Sequence, residues 1–453
     1  MSGGQNFGND VQRKAGRVAN GRQKARRMAL FMAGSLLLAV PGGFAIAAEG
    51  NAQDPGMTNE GMSFMSYTNE VTQAPSMSDA QLAQTIKRLD LSLSSKPARE
   101  MVKGWHKPKK VVIFDEGSPE WIPWIKSVAP DLDYVVIPGR RGGIDYEHRG
   151  RRAPLTKEQL ADIADADVQI GGSCTKTLLG QQKNLEAVIS AHVGVEGCFT
   201  GEVPKRLLDG EVVVTNQKGT YGLPIGTTAI ALMLALERGL DKYVRMNDAE
   251  HWTNPPPGRL RFPEGETMLV VGLGGLGTEI ARLAHYGLGM KIIATRASSH
   301  EGPPFVDYVG LSNELPELAA KADVVVSAVP LTDETRNLFN ANVFNHTKKG
   351  AIFINVSRGG VVDSNALVAA LKSGQLGGAG LDVGGENLKK GDPLWHAPNI
   401  IIDPHNSAHF ATATEWEKPG NHTIYAWAVM RENFRRFIDG DKLYSVVNPK
   451  TAY

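Results

Sequence analysis

Residues 266–299 read ETMLVVGLGGLGTEIARLAHYGLGMKIIATRASS, and this stretch decides the fold. Met268–Val271 is a short apolar run suited to a strand. Gly272, Gly274 and Gly277 then form G-x-G-x-x-G, with Gly275 and Leu276 inside the turn. Ile280, Leu283 and Ala284 recur at helical spacing, Gly287 and Gly289 close the helix, and Lys291–Thr295 is a second strand. In a chain with 50 glycines such a pattern alone is weak. Set between a strand and a helix within about 30 residues, it is a dinucleotide fingerprint. One glycine makes the tight turn, one lets the backbone approach a pyrophosphate, and one lets helix and strand pack closely. The helix N-terminus offers free N–H groups to the phosphates.

The residue ending the second strand bears on the cofactor. An acid there would hold ribose hydroxyls, but the position is Arg296, followed by Ser298 and Ser299. A guanidinium beside hydroxyls suits a 2′-phosphate, so NADP is preferred and NAD is the alternative.

Beyond this unit the strands continue. Asp323–Thr332 (DVVVSAVPLT) is a strand with a proline-ended turn. Ala351–Gly360 (AIFINVSRGG) delivers Arg358 to a strand end. Gly378–Val383 (GAGLDV) precedes Glu386, and Asn399–His405 (NIIIDPH) ends on His405. One Arg, one Glu and one His thus each follow a strand of the sheet that carries the nucleotide. An Arg can bind a carboxylate bidentately and polarise an adjacent carbonyl. A His can pass a proton to or from the substrate oxygen. A Glu can hold that imidazole and favour its protonated form.

Upstream, Lys109–Asn216 alternates apolar strands with helical spacers: VVIFDEG, YVVIPG, DVQIGGS and EVVVTN, with a helix expected over Pro119–Val128. That implies a second open parallel α/β sheet. Loops at the carboxyl ends of such strands bind ligands. Gly171-Gly172-Ser173 and Val193-Gly194-Val195 are two such loops, and ordinary strand-to-helix turns are the competing reading. Leu223–Leu240 predicts a long apolar helix, with Ala229, Leu232, Met233 and Leu236 on one face. Trp416, Trp427 and Tyr221 are candidates either for a pocket lining or for the core. Cys174 and Cys198, the two cysteines of the chain, either pair or sit as small buried apolar residues.

Taken together, these stretches resemble the D-isomer-specific 2-hydroxyacid dehydrogenases, a family that includes glyoxylate/hydroxypyruvate reductases. The resemblance runs from roughly Lys109 to Tyr453 and is carried by VVGLGGLGTEIARLA, ELAAKADVVVSAVPLTDETRNLFN, AIFINVSRGGVVDSNALVAALKSGQLGGAGLDV, DPLWHAPNIIIDPHNSA and ENFRRFIDGDKLYSVVN. It implies a Rossmann-type doubly wound parallel sheet plus a second, flavodoxin-like α/β substrate domain. It also implies hydride transfer between NADP(H) or NAD(H) and a small 2-oxo or 2-hydroxy acid, in a homodimer. By the resemblance Arg358, Glu386 and His405 match the catalytic residues, and Asp382 an acid near the nicotinamide amide. Gly275 and Leu276 match the pyrophosphate donors, and Thr175, Pro330 and Val356 further cofactor contacts. Gly172, Ser173, Val193 and Gly194 match the carboxylate-binding loops. Between Asp382 and Glu386 the chain is one residue shorter than the usual spacing. A slipped register would put Asn387 in the place of Glu386. The expected domains are 109–220 completed by 408–453 for the substrate, with a C-terminal helix from about Ala411, and 221–407 for the dinucleotide. Closure is expected at hinges near Tyr221 and Ser407.

Of 453 residues, 49 are Lys or Arg and 48 Asp or Glu, yet residues 1–27 carry seven of the former and one of the latter. The remainder holds 42 basic and 47 acidic residues, a mildly acidic balance that argues against a nucleic-acid partner. The basic head leads into the uncharged run Met28–Ala48, whose core MALFMAGSLLLAV is short for a bilayer and is broken by Pro41-Gly42-Gly43. With Ala45-Ile46-Ala47 it reads as a secretory signal over residues 1–48, and Arg26-Arg27 suggests the twin-arginine type. The expectation is export, to a periplasm, with no stable membrane span in the mature chain. The alternatives are an uncleaved membrane anchor or a cytoplasmic protein. Residues 49–108 are expected to be mostly a polar linker of low order, with a short helix over Ala80–Leu93. Its methionines lack the spacing and the His or Cys neighbours of a metal site, and no other pattern in the chain points to a metal. The export signal favours a second functional reading, an exported dinucleotide-binding protein with a sensing or structural role and little turnover.

Overall fold

The computed structural model describes residues 77–89, 91–115, 119–138, 155–172, 174–199, 201–252, 260–386, 388–408 and 423–450. The expected signal, the first part of the linker, Ser173, Asn387 and Trp416 lie outside the described residues.

Apolar runs of three to six residues form two fully parallel sheets. The first holds β1 (Lys110–Phe114), β2 (Asp133–Ile137), β3 (Val168–Ile170), β4 (Ala187–Ile189) and β5 (Val213–Thr215), in the order β2-β1-β3-β4-β5. The second holds β6 (Thr267–Val271), β7 (Lys291–Arg296), β8 (Tyr308–Leu311), β9 (Val324–Ser327), β10 (Ala351–Asn355), β11 (Leu376–Leu381) and β12 (Ile400–Ile402), in the order β12-β11-β10-β9-β6-β7-β8. The first order is the flavodoxin-like one, and the second is the Rossmann order with one further strand. Strands such as β9 and β10 are buried at every residue because helices cover both faces.

In each sheet the strand order reverses once, between β1 and β3 and between β6 and β9. Those switch points open crevices at the carboxyl ends of the strands. The first lies beside Gly171-Gly172, the second between the Gly272 turn and Pro330.

The helix Gly222–Glu237 follows the expected apolar run, burying Gly226, Ala229, Leu232 and Met233. It lies against the helix Gly275–Leu288, where Gly226 faces Leu283 and Ile280. Among the described residues no single helix is long and apolar enough to cross a membrane.

The helix Thr423–Ile438 covers the five-stranded sheet. Trp427 stacks on Trp121, with centroids 6.1 Å apart and planes 9° off parallel, and Phe434 and Phe437 are fully buried. Trp427 is therefore core and lines no pocket. Within the stretch read as a low-order linker, residues 77–108 join the same core. Leu82, Ala98 and Val102 are buried, and Trp105 donates its indole N–H to Phe437 O. Few apolar residues, spread among polar ones, suffice because each meets the large aromatic surface of the Thr423–Ile438 helix.

Candidate active site

The glycine turn joins β6 to the helix Gly275–Leu288. Gly272 has φ +98° and its would-be Cβ would lie 2.8 Å from Ala328 O. A Cβ on Gly277 would come within 2.1 Å of Gly272 O, so helix and turn touch backbone to backbone. The N-cap is Gly274, whose extended backbone leaves the first-turn amides without a side-chain cap. No acid sits in that turn. A 14-residue helix presents its positive end there, which suits a pyrophosphate. At the end of β7, Arg296 keeps its Nε buried without a hydrogen-bond partner, beside exposed Ser298. The cradle that any Cβ would fill fits a dinucleotide. Val356 is buried under the β10 end, and Pro330 O accepts from Thr335 Oγ1 at 2.6 Å. Thr175 caps the helix Lys176–Gln181 by accepting from Leu178 N.

Arg358, Glu386 and His405 meet at the carboxyl ends of β10, β11 and β12. A buried polar network places Arg358. Asn355 Oδ1 accepts from the N–H and Oγ of Ser357, and Asn355 Nδ2 donates to Arg358 O. His405 Nδ1 lies 3.2 Å from Glu386 Oε1, with both side chains about half exposed. Glu386 Oε2 also accepts from Gly384 N at 2.7 Å. The one-residue-shorter loop closes because Gly384 takes φ +95° and lies against Gly359. The register thus brings Glu386 to the imidazole. His405 itself holds φ +63°, a left-handed conformation that costs a non-glycine residue of the order of 1 kcal/mol and concentrates at functional sites.

Electrostatics follow from this geometry. The hydrogen bond to Glu386 raises the His405 pKa, burial opposes it, and the charges of Asp382 and Glu386 add to the rise while Arg358 subtracts. Burial alone would lift the Glu386 carboxyl. Hydrogen bonds from His405 and from backbone N–H groups outweigh it and hold the group below its ordinary value. Asp382 is buried, and its two oxygens accept from Ser407 N and Ser407 Oγ.

The two glycine loops of the five-stranded sheet lie beside this cluster. Gly172 O accepts from Ser190 Oγ, and Val193 O accepts from Asn216 Nδ2. Gly194 lies directly under Arg358, since a Cβ there would come 1.9 Å from Nη2. Cys174 and Cys198 are joined by a disulfide, with Cα atoms 5.6 Å apart, which ties the two loops together. Sequence reasoning missed Glu196, whose Oε1 accepts from Arg358 Nε at 2.8 Å. Its only signal was an acid two residues after Gly194.

Comparison with known proteins extends this. Residues 230–407, which contain all seven strands of the second sheet, match a family model described as D-isomer specific 2-hydroxyacid dehydrogenase, NAD binding domain. Glyoxylate/hydroxypyruvate reductase B of Escherichia coli is 32% identical over 306 residues, 66% of this chain and 90% of that protein. The chain belongs to the D-isomer specific 2-hydroxyacid dehydrogenase family. The chain is also 30% identical over 302 residues to D-3-phosphoglycerate dehydrogenase of Methanocaldococcus jannaschii. That alignment covers 65% of this chain but 54% of the other, so the chain spans about half the length of that protein. Among solved structures, a D-isomer specific 2-hydroxyacid dehydrogenase from Xanthobacter autotrophicus Py2, in complex with NADPH and MES, superposes with a TM-score of 0.59. It is 26% identical, and the match covers 76% of this chain and 100% of that one. The family is one of NAD(P)-dependent oxidoreductases, and both sheets of this member have the architecture it requires.

Proposed function

We propose that this family member interconverts a small 2-oxo acid and its D-2-hydroxy acid, with Arg358 binding the substrate carboxylate and His405 acting as acid and base. The observation that carries the reading is the His405–Glu386 pair at 3.2 Å, formed beside Arg358 at the carboxyl edge of the nucleotide sheet. When bound, the dinucleotide supplies or accepts the hydride. The Gly272–Gly277 turn would hold its pyrophosphate, and Arg296 with Ser298 its 2′-phosphate, which favours NADP(H) over NAD(H). In reduction, Arg358 orients the carboxylate and polarises the carbonyl, and protonated His405 gives its proton to the carbonyl oxygen. Nδ1 is committed to Glu386, so Nε2 is the nitrogen that faces the reacting oxygen. Gly172, Val193 and Gly194 would contribute backbone N–H groups to the carboxylate.

Glyoxylate and hydroxypyruvate are the first substrates to try, because the E. coli relative is named for them. Residues 109–220, with 77–108 and the Thr423–Ile438 helix packed on them, and 221–407, would move as two domains about Tyr221 and Ser407. A homodimer is supported by exposed Leu240, Val244, Trp252 and Phe262 around the helix Leu240–Asp248, where Trp252 is 91% exposed. Export is supported by the residue 1–48 pattern together with the disulfide, which persists in oxidising compartments. Those same two observations favour a second reading, an exported dinucleotide-binding protein with little turnover.

The test is oxidation of NADPH and NADH by the purified protein with glyoxylate, hydroxypyruvate and pyruvate, beside Arg358→Ala and His405→Ala. Turnover that is faster with NADPH and lost in both variants supports the dehydrogenase. Tight NADP(H) binding without turnover on any 2-oxo acid sinks it and supports the second reading.

A further inference from the structure

We propose that Glu196 is the positioning residue for Arg358, reaching it from the other sheet, and that the Cys174–Cys198 disulfide keeps Glu196 in place. The proposal rests on the reading of Arg358 as carboxylate anchor. The guanidinium has three nitrogens. Nε donates to Glu196 Oε1 at 2.8 Å, Nη1 donates to Ser357 O at 2.7 Å, and Nη2 lies over Gly194. Arg358 follows β10 of the seven-stranded sheet, whereas Glu196 opens the short helix Glu196–Phe199 beyond β4 of the five-stranded one. The two residues are 162 positions apart in the chain.

This pair is about one-third exposed on each side, and an ion pair of that exposure adds little to folding stability. Its effect is orientational. An arginine has four side-chain torsions, and ordering them costs conformational entropy. Glu196 and Ser357 O fix the plane of the guanidinium before any ligand arrives, so the ordering cost does not fall on the binding step. Gly194 is what permits the arrangement. A Cβ there would strike Arg358 Nη2 and would lie 2.5 Å from Glu196 Oε2. Cys198, two residues beyond Glu196 and fully buried, is bonded to Cys174 on the loop that follows Gly172. The acid that orients the arginine is thereby anchored to the other candidate carboxylate loop.

The experiment measures the calorimetric Kd of oxamate, a non-reducible 2-oxo acid analogue, with NADPH present, and the KM for glyoxylate. The proteins are the full chain and Glu196→Ala, Glu196→Gln, Arg358→Ala, Glu196→Ala/Arg358→Ala and Cys174→Ser/Cys198→Ser. A charge-assisted hydrogen bond converts to a loss of roughly tenfold to a hundredfold. Glu196→Ala is expected to weaken oxamate and raise KM by that factor, with the NADPH Kd unchanged. Glu196→Gln, which keeps an acceptor, should recover part of the loss. The double variant should bind no worse than Arg358→Ala, and the cysteine variant should move in the direction of Glu196→Ala. If Arg358→Ala itself leaves oxamate binding intact, the anchoring role fails and the proposal falls with it. If Arg358→Ala weakens binding and Glu196→Ala does not, positioning alone is overturned. Tighter oxamate binding in Glu196→Ala would make the carboxylate a competitor of the substrate and would overturn it too.

Discussion

Two glycine-marked strand ends, one on each sheet, lead into helix starts of different kinds. Beyond β6 the glycine turn opens a helix of 14 residues with no acid in its first turn. Its amides and macrodipole are available to phosphates directly. Beyond β4, Gly194 opens a helix of four residues whose first turn carries Glu196, and a disulfide holds its end. A single helical turn has little dipole to offer, and the acid cancels it. In the proposed function, an anion there is held by a cation brought from the other sheet, Arg358. Similar strand-end loops in similar sheets thus become a main-chain cradle in one case and a seat for a side chain in the other. Helix length and the charge of the first turn make the difference.

The comparison can be broken at several points. The largest effect should come from His405→Ala, which removes the proposed proton donor and is expected to lower kcat by a factor of order 10²–10⁴, read as NADPH oxidation with glyoxylate. Next is the disulfide, which closes a loop with a sequence separation of 24. Reducing it, or Cys174→Ser/Cys198→Ser, should cost about 3 kcal/mol in urea unfolding, and an unchanged midpoint would show that the β4 loop needs no tie. Gly277→Ala drives a Cβ into Gly272 O and should cost about 1–3 kcal/mol, with NADPH binding weakened and oxamate binding less so. Equal loss of both ligands would mean the two strand ends are not separable. The smallest effect is on pH. The hydrogen bond that His405 donates to Glu386 raises the His405 pKa, so His405 stays protonated to higher pH and reduction fades as pH rises through that value. Glu386→Gln should move the fall to lower pH, and a profile that stays put would separate the acid from the imidazole.

Most of the nucleotide half was legible because its signals are local. Apolar runs mark β6, β9 and β10, the glycines mark the turn, and Arg358, Glu386 and His405 each follow a strand directly. What was not legible is set by long-range geometry. The Glu196–Arg358 contact joins residues from two sheets, and no spacing encodes it. Two cysteines state no distance, so their pairing appears only when the loops stand with Cα atoms 5.6 Å apart. The compensation of the short loop before Glu386 lies in the φ of Gly384, a backbone property. β8, at the sheet edge with Tyr308 45% exposed, is too short and too half-buried to stand out as an apolar run. Residues 77–108 look like a spacer because their few apolar side chains are diluted among polar ones.

The stacked indoles of Trp121 and Trp427 carry an optical consequence. Two chromophores stacked 6.1 Å apart in nearly parallel planes, with Trp124 tilted at 5.6 Å from Trp121, couple their transitions and give circular dichroism that isolated tryptophans lack. One partner comes from the start of the five-stranded sheet and the other from the Thr423–Ile438 helix, some three hundred residues later. That band is a built-in spectroscopic gauge of whether the Thr423–Ile438 helix has docked on the five-stranded sheet, readable without a label and separately from the nucleotide half.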